Sequence, residues 1–558
     1  MSNATAEESL SMAGFVPRHG GHVIPIPERA NLYTDTVGRW ADGVRRDAIA
    51  LVVDREGTHV SRYSFAELAT LSAKLARVFS EAGIGPGVPV AVHTGQSLET
   101  ALTHLAVYRL GGIVVTLSTL YGPDTVRHIL ADSGVRHIVT EGKAWNALGV
   151  GLFPNGSVPC IFDVGDAVAF RERIDAAARL EVVHATLASD PALLMYTSGS
   201  TGMPKGLLHA HRILHAYLPT VRLFYNLEIG RRDDAVFWSP ADWAWVGGLL
   251  DLVLPAWAAG HPVVACEHRF EPGWAFDFMT RHRVTHTFMT PTALKRLAEV
   301  RSPKARWPQL CLAVVCTGGE SLPSEIVDWC EHALGAVCNE FYGLTEFNHL
   351  IGNCEALYPI RPGSMGRAYP GHRVAILDDA GAAVQDGEVG EICASIDDPT
   401  RFLGYWGQLG IPERMRIHEW LRTNDLAYRD SDGYIWYQGR NDDLIKSAGY
   451  RIGPAEVEDA LVRHPAVAEA AVIASPDANR GAIVKALVRL HAEQQASASL
   501  ARELQEFVKA RLAAYKYPRE VEFVTAFPLT SSGKIRRDEL RRREYERKGV
   551  PLPGKGVR

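Results

Sequence analysis

The sequence predicts an α/β protein in two parts. One is a large amino-terminal domain of mixed and parallel sheets with helices and a small β subdomain; the other is a small, mobile α+β domain at the carboxy terminus. Three observations predict it. Helix-like segments alternate with short apolar runs up to about residue 370. After Pro370 the runs become alternating and are joined by an Asp-Ala-Gly turn. Beyond a charged, glycine-containing joint near Asp442, helices and strands form a unit of their own, so residues 1–441 and 442–558 are expected to be separate domains.

The elements follow in order. Ser64–Gly83 carries apolar residues at 3–4 spacing and ends in glycine, which is an amphipathic helix with its stop signal. PVAVHT, IVVTLS and HIVTE, then ALLMYT, PVVACE, HTFMT and LAVVCTGG, are short buried strands. This βα alternation calls for a largely parallel sheet covered by helices. HRVAILDDAGAAVQDGEVGEICAS reads as paired strands. In the carboxy-terminal unit Pro454 opens a helix, ASLARELQEFVKARLA is a second helix, and EAAVIAS, IVKALVRL and EVEFVTAF are strands.

The chain has 558 residues and a formal charge of −5, with 47% apolar and 22% charged residues. That balance gives no electrostatic case for nucleic acid or an anionic membrane. The amino terminus lacks a basic segment followed by an apolar core, so no secretory signal is expected. The run Trp243–Gly260 is apolar but contains Asp251, Pro255 and two early glycines; it reads as a buried core helix, not a span, so no integral membrane association is expected. Eight scattered cysteines with no C-x-x-C suit reduced thiols in a cytoplasmic protein.

YTSGSTGMPKG, Tyr196–Gly206, is the segment richest in chemistry. Its glycines admit close approach of backbone N–H groups, its hydroxyls add donors and Lys205 adds a cation, which together suit a polyphosphate. A helix starting near Leu207 would add its amino-terminal dipole. The spacing is not that of the Walker loop.

This loop resembles the phosphate-loop signature of the adenylate-forming superfamily of acyl-CoA synthetases, luciferases and peptide-synthetase adenylation domains. Four further signatures follow in order: TGGESLP (Thr317–Pro323), NEFYGLTE (Asn339–Glu346), RTNDLAYRDSDGYIWYQGRNDDLIKSAGYRIGPAEVE (Arg422–Glu458) and PLTSSGKIRRDELR (Pro528–Arg541). ADWAWVGGLLD and YRIGPAEVE look most like the medium-chain and aryl acyl-CoA synthetase branch, which resembles acetyl-CoA synthetase-like ligases.

The resemblance implies an ATP-dependent acid–CoA ligase that uses Mg2+, forms an acyl-AMP and passes the acyl group to coenzyme A. The implied catalytic residues are Lys534, Glu346, Thr345 and Lys205, with Glu346 as the magnesium ligand and Thr345 on the α-phosphate. Nucleotide and CoA contacts fall to Thr197, Ser198, Gly199, Ser200, Thr201, Gly202, Gly319, Glu320, Glu340, Phe341, Tyr342, Asp425, Arg440, Gly449 and Arg451. Gly319 and Glu320 would lie along one adenine face, with Phe341 and Tyr342 on the other; Asp425 would take both ribose hydroxyls. Asn424 stands where relatives carry glycine, which would shift that loop. The small domain would swing about Asp442, withdrawing Lys534 so that CoA can enter.

The acyl pocket departs from short-acid relatives. Gly343, Gly318 and Gly247 replace bulkier walls while Val246 remains, so a deep pocket for a medium-chain, branched or aromatic acid is expected. Refilling by Trp243, Trp245 or Phe347 is the alternative. Three other functions stay open: a short-chain (acetate or propionate) CoA ligase, a ligase loading a carrier protein, and an ATP-binding module without catalysis. The expected partners are small molecules, a second copy of the chain in a homo-oligomer, and a lysine acetyltransferase and deacylase acting on Lys534.

Overall fold

The computed structural model describes residues 6–18, 21–55, 59–148, 160–197, 203–447, 450–478, 480–513, 515–530 and 534–551. Two large sheets organise the first 410 residues. In one, strands Cys160–Asp163, His137–Thr140, Pro89–His93, Ile113–Thr116 and Pro191–Thr197 run parallel in that spatial order. Antiparallel Lys205–Ala210 and Gly404–Tyr405 extend it beyond Pro191–Thr197. In the other, Ile49–Arg55, Val263–Ala265, Phe237–Trp238, His286–Phe288, Val314–Gly318 and Val337–Leu344 are parallel neighbours, and Phe347–Gly352 turns back antiparallel.

Helices Phe65–Glu81, Leu98–Arg109 and Ile213–Phe224 share one hydrophobic core with both sheets. The first starts as its sequence dictates: Ser64 accepts the Glu67 N–H while the Glu67 carboxylate accepts the Ser64 N–H, a reciprocal capping box. Every residue of Leu98–Arg109 is buried, as befits a helix covered on all sides.

The segment after the loop at Gly202 is a correction. No helix starts at Leu207; Lys205–Ala210 is a strand, antiparallel to Pro191–Thr197, and the helix begins at Ile213. Leu207, Leu208, His209 and Ala210 are all buried, and strands flank the segment on both sides. The chain between Thr197 and Lys205 therefore joins two strands, and no helix begins directly after it.

After Pro370 the expected β subdomain appears as a five-stranded antiparallel sheet built on Trp420–Arg429. The last unit carries strands Ile445–Ser447, Tyr450–Ile452, Val467–Asp477, Gly481–Leu490 and Glu520–Phe523. Helices Pro454–Val462 and Ala498–Lys509 pack on one face, and Arg537–Arg547 covers the other through Leu540. The core clusters of this unit draw only on residues 445–540. No helix among the described residues is long and apolar enough to cross a membrane.

Candidate active site

A cleft of about 2910 Å³ runs between the two sheets' carboxyl-side loops, the β subdomain and the last unit. Its spine is strand Val337–Leu344. Leu344 pairs with Phe347, leaving Thr345 and Glu346 at the turn, open to the cleft. Glu346 is steadied from two sides: the Tyr405 hydroxyl donates to its Oε1 at 3.0 Å, and its carbonyl accepts the Phe402 N–H at 2.8 Å. Burial, then the Glu346 charge, pushes the Tyr405 hydroxyl up, so it stays a donor. Tyr405 is itself fixed, because Gly404–Tyr405 pairs with Leu208 and Leu207. The Lys205 ammonium, at an exposed strand start opposite Thr197, lies 5.7 Å from the Tyr405 ring. No cage of three or more metal-ligating side chains exists among the described residues. A partly open carboxylate at the cleft fits Mg2+, which keeps most of its waters and binds through one or two carboxylates plus phosphate.

On the other side of the cleft Asp425 is buried. Its Oδ2 accepts the Tyr342 hydroxyl at 2.8 Å and its Oδ1 the Tyr437 hydroxyl at 3.3 Å. Burial raises its pKa above the ordinary carboxylate value, against the lowering influence of Arg440, the two hydroxyls and Lys534. Arg440 is its cross-strand neighbour. Asn424 does not displace this carboxylate. It adopts φ +65°, the left-handed conformation that glycine takes easily and asparagine tolerates, and its N–H donates to Glu391 Oε1 at 2.7 Å.

Lys534 reaches the cleft from the last unit. Its hairpin is closed by a bridge between Leu529 and Ile535 and by a reciprocal pair: Thr530 N–H to the Lys534 carbonyl at 2.7 Å, and Lys534 N–H to Thr530 Oγ1 at 3.0 Å. A Cβ on Gly319 would lie 3.6 Å from the Lys534 ammonium, and Gly319 has φ +86°. Only glycine fits this place without strain. Beside it, Thr292 donates to Glu320 Oε2 at 2.7 Å.

Two expectations change. Phe341 and Tyr342 do not share the adenine side, because successive strand residues face opposite ways. Tyr342 points to Asp425; Phe341 stacks on Phe224 at 4.6 Å and meets Phe288 and His349, which puts it on the opposite face of the strand. Nor do the three glycines leave hollows. A Cβ on Gly247 would overlap Phe288, one on Gly318 would meet the Phe341 ring at 2.9 Å, and one on Gly343 would overlap Asn348. The space is refilled, but not by Trp243, which packs on Trp257, nor by Phe347, which belongs to the subdomain core. Trp245 lines the cleft against Tyr121, and Val246 begins a short helix at its wall. Gly343→Ala is expected to cost about 1–3 kcal/mol through overpacking. Calorimetric melting checks this, and an unchanged midpoint would contradict it.

Glu340 faces the same way as Tyr342 but is buried, with Oε1 accepting the Leu322 N–H at 3.3 Å. It braces the loop after Gly319. Burial pushes its pKa up to about 8 from 4.5. The fold therefore holds this proton more tightly than the unfolded chain, and stability falls as pH rises through that window and levels above it. The slope is at most ~1.4 kcal/mol per pH unit. Glu340→Gln is expected to flatten the melting temperature between pH 5.5 and 8; an equal slope in both proteins would contradict this.

Ser198, Gly199, Ser200, Thr201, Gly202 and Gly449 lie outside the described residues, as does the Arg451 side chain. Thr197, Gly318, Gly319, Glu320, Tyr342, Thr345, Glu346, Asp425, Arg440 and Lys534 all line the one cleft. The sequence reading missed Tyr405, Phe288 and Asn348, each brought in from outside the motif it supports, and Tyr437, which lies in the same signature as the Asp425 it supports. It also missed Asp251 as a site residue, although a carboxylate within WVGGLLDLVLPAW is itself a signal.

Two carboxylates, Glu346 and Asp425, and two cations, Lys205 and, from a separate unit, Lys534, thus line one cleft. Such a set of opposed charges suits a nucleotide-dependent transferase or ligase. The chain belongs to the AMP-binding enzyme family: the family profile matches residues 38–406, and that of the AMP-binding enzyme C-terminal domain matches residues 456–534. It is 34% identical over 508 residues to the uncharacterized acyl–CoA ligase YtcI of Bacillus subtilis (strain 168), covering 89% of this chain and 94% of that one. It is 31% identical over 527 residues to acetyl-coenzyme A synthetase of the same organism, covering 92% and 90%. Among solved structures, the anthranilate CoA ligase AuaEII with anthranoyl-AMP superposes with a TM-score of 0.84 at 27% identity, over 94% of this chain and 99% of that one.

Proposed function

We propose that this chain is an ATP-dependent acid–CoA ligase. A carboxylate oxygen attacks the α-phosphorus of ATP, pyrophosphate leaves, and an acyl-AMP forms. The CoA thiol then attacks the acyl carbon, AMP leaves and the thiol proton is released. The observation that carries this reading is the Lys534 ammonium beside Gly319, in the cleft that also holds Asp425, Thr345 and Glu346. Two anions must meet in the first step, so fixed positive charge is required where charge builds.

The roles follow from position. Asp425 takes the ribose hydroxyls, Thr345 and Lys205 contact phosphate, and Lys534 bridges the acyl carboxylate and the α-phosphate, a task suited to a compact ammonium with three donors. Glu346 holds Mg2+, which neutralises phosphate charge when bound. Residues 1–441 form the nucleotide domain and 442–558 a lid turning about Asp442, whose carbonyl accepts from Arg541 at 2.8 Å. Turning withdraws Lys534 and clears a path for CoA past Gly449.

The acid has a ring or a medium or branched chain. The rings of Trp245, Phe288 and Phe341 that line the cleft support this, and each buried methylene contributes about 0.8 kcal/mol. The relatives act on acids as small as acetate and as large as anthranilate, so their names do not decide the size. A panel of acids of increasing size with ATP, Mg2+ and CoA, read as AMP and thioester formed, tests the reading. A maximum at acetate would sink the size assignment, and no thioester from any acid would sink the function.

Two finer assignments belong here. Cytoplasmic location is supported by eight free thiols. Control by acetylation and deacylation of Lys534 is supported by the exposure of that side chain. The acetylated protein should lose acyl-AMP formation yet still transfer a preformed acyl-AMP to CoA; full acyl-AMP synthesis after acetylation would refute it.

A further inference from the structure

The acyl end of the cleft contains a polar device that nothing in the ligase reaction requires. The helical run from Val246 to Ala258 is broken by a π-turn at Leu249–Val253, with Asp251 at its centre. Single π-turns inside helices recur at functional sites. Asp251 is 2% exposed, and its Oδ1 accepts from His349 Nε2 at 2.7 Å and from Asn348 Nδ2 at 3.1 Å. His349 has φ +61° within strand Phe347–Gly352, an uncommon and strained place for a residue with a side chain. Its ring is enclosed by Tyr217, Phe224 and Phe341 at 4.6–4.9 Å. A strained, fully buried acid–imidazole pair inside an aromatic cage is costly to build, and it is built against the substrate cavity.

Thr220 Oγ1 lies 2.9 Å from the Tyr217 carbonyl and 3.2 Å from His349 Nδ1, so the imidazole is held at both nitrogens, by Thr220 on one side and by Asp251 Oδ1 on the other. Burial pulls both members toward the neutral forms, raising Asp251 and lowering His349. Asp251 Oδ2 has no hydrogen-bond partner among the described residues, and Asp251 and Asn348 both line the cleft. An acceptor that reaches the cleft with no protein partner is free to take a donor from a ligand bound there. The aromatic lining by Trp245, Phe288 and Phe341 makes burying a charged group costly, so the donor this acceptor matches is a neutral one.

Asn348 fills the space beside Gly343, two residues before Thr345, so the cluster stands next to the turn that carries Thr345 and Glu346.

We infer that Asp251, oriented by His349 and Asn348, determines specificity for acids with a neutral hydrogen-bond donor, a hydroxyl or an arylamine, at the end remote from the carboxylate. The inference rests on the ligase reading and names the substrate class of that site.

Acid-dependent exchange of labelled pyrophosphate into ATP by the full-length protein tests it, using acids that share one ring and differ at the para position: benzoate, 4-hydroxybenzoate, 4-aminobenzoate and 4-methoxybenzoate. The donor-bearing acids should exceed both the unsubstituted acid and the methyl ether by at least ~10-fold in kcat/KM, as expected where a buried polar group is left unpaired. In a folded Asp251→Ala protein that ratio should fall to near unity. Equal kcat/KM for the hydroxy acid and its methyl ether in the unaltered protein would overturn the inference, and that comparison needs no variant to fold. An unchanged ratio in Asp251→Ala would overturn it as well. Exchange that ignores the donor defeats this inference alone; no exchange with any acid defeats the ligase reading with it.

Discussion

Lys534→Ala is expected to lower acyl-AMP formation by about 10²–10³-fold, the range seen when one preorganised donor to a developing charge is removed. The expectation is specific to one half of the reaction. Lys534 sits against Gly319, where the proposed reaction would bring carboxylate and α-phosphate together. The second step needs a thiol path and not this ammonium. Acyl-AMP supplied to the variant should therefore be converted to thioester within a few-fold of the unaltered rate. Single-turnover measurements of the two halves check this. Equal losses in both halves would mean that the lysine acts on folding or on domain docking instead.

The second large effect concerns nucleotide choice. Asp425→Ala is expected to raise KM for ATP by ~10²-fold, because two hydrogen bonds from ribose hydroxyls to a carboxylate are lost at about 1.5–3 kcal/mol each, offset in part by relief of a buried charge. The readout peculiar to this role is the sugar. The unaltered protein should discriminate against 2′-deoxyATP, and the variant should treat the two nucleotides alike. The tyrosyl hydroxyls of Tyr342 and Tyr437, which now donate to Asp425, would lose their acceptor, so some loss of melting temperature should accompany the change. Retained discrimination would place the ribose elsewhere.

Much of the fold was legible because periodicity reports burial. Ser64–Gly83 and the parallel strands from PVAVHT to LAVVCTGG stand where their apolar spacing placed them. Lys205–Ala210 was misread because GLLHA is too short to separate a strand from a buried helical turn, and its strand partners, Pro191–Thr197 and the distant Gly404–Tyr405, decide the matter. The motif residues were legible because each sits in a contiguous signature. Their supports were not: Tyr405 steadies Glu346 from 59 positions away, and no local spacing announces it. The glycine-lined pocket failed for a related reason. A missing side chain says nothing about which neighbour occupies the vacancy, and here Phe288, Phe341 and Asn348 do. Asp251 had been weighed only as an interruption of an apolar run, whereas its burial in that run is what sets it apart.

The central claim is that this cleft joins an acid to the α-phosphate of ATP through a carboxylate oxygen. The most direct measurement supplies a substrate acid carrying 18O in both carboxylate oxygens, with ATP, Mg2+ and CoA, and weighs the AMP released. The account predicts one 18O in each AMP, because the carboxylate oxygen that attacks phosphorus leaves with it. AMP free of label, with the acid's oxygen found in inorganic phosphate or pyrophosphate, would contradict it.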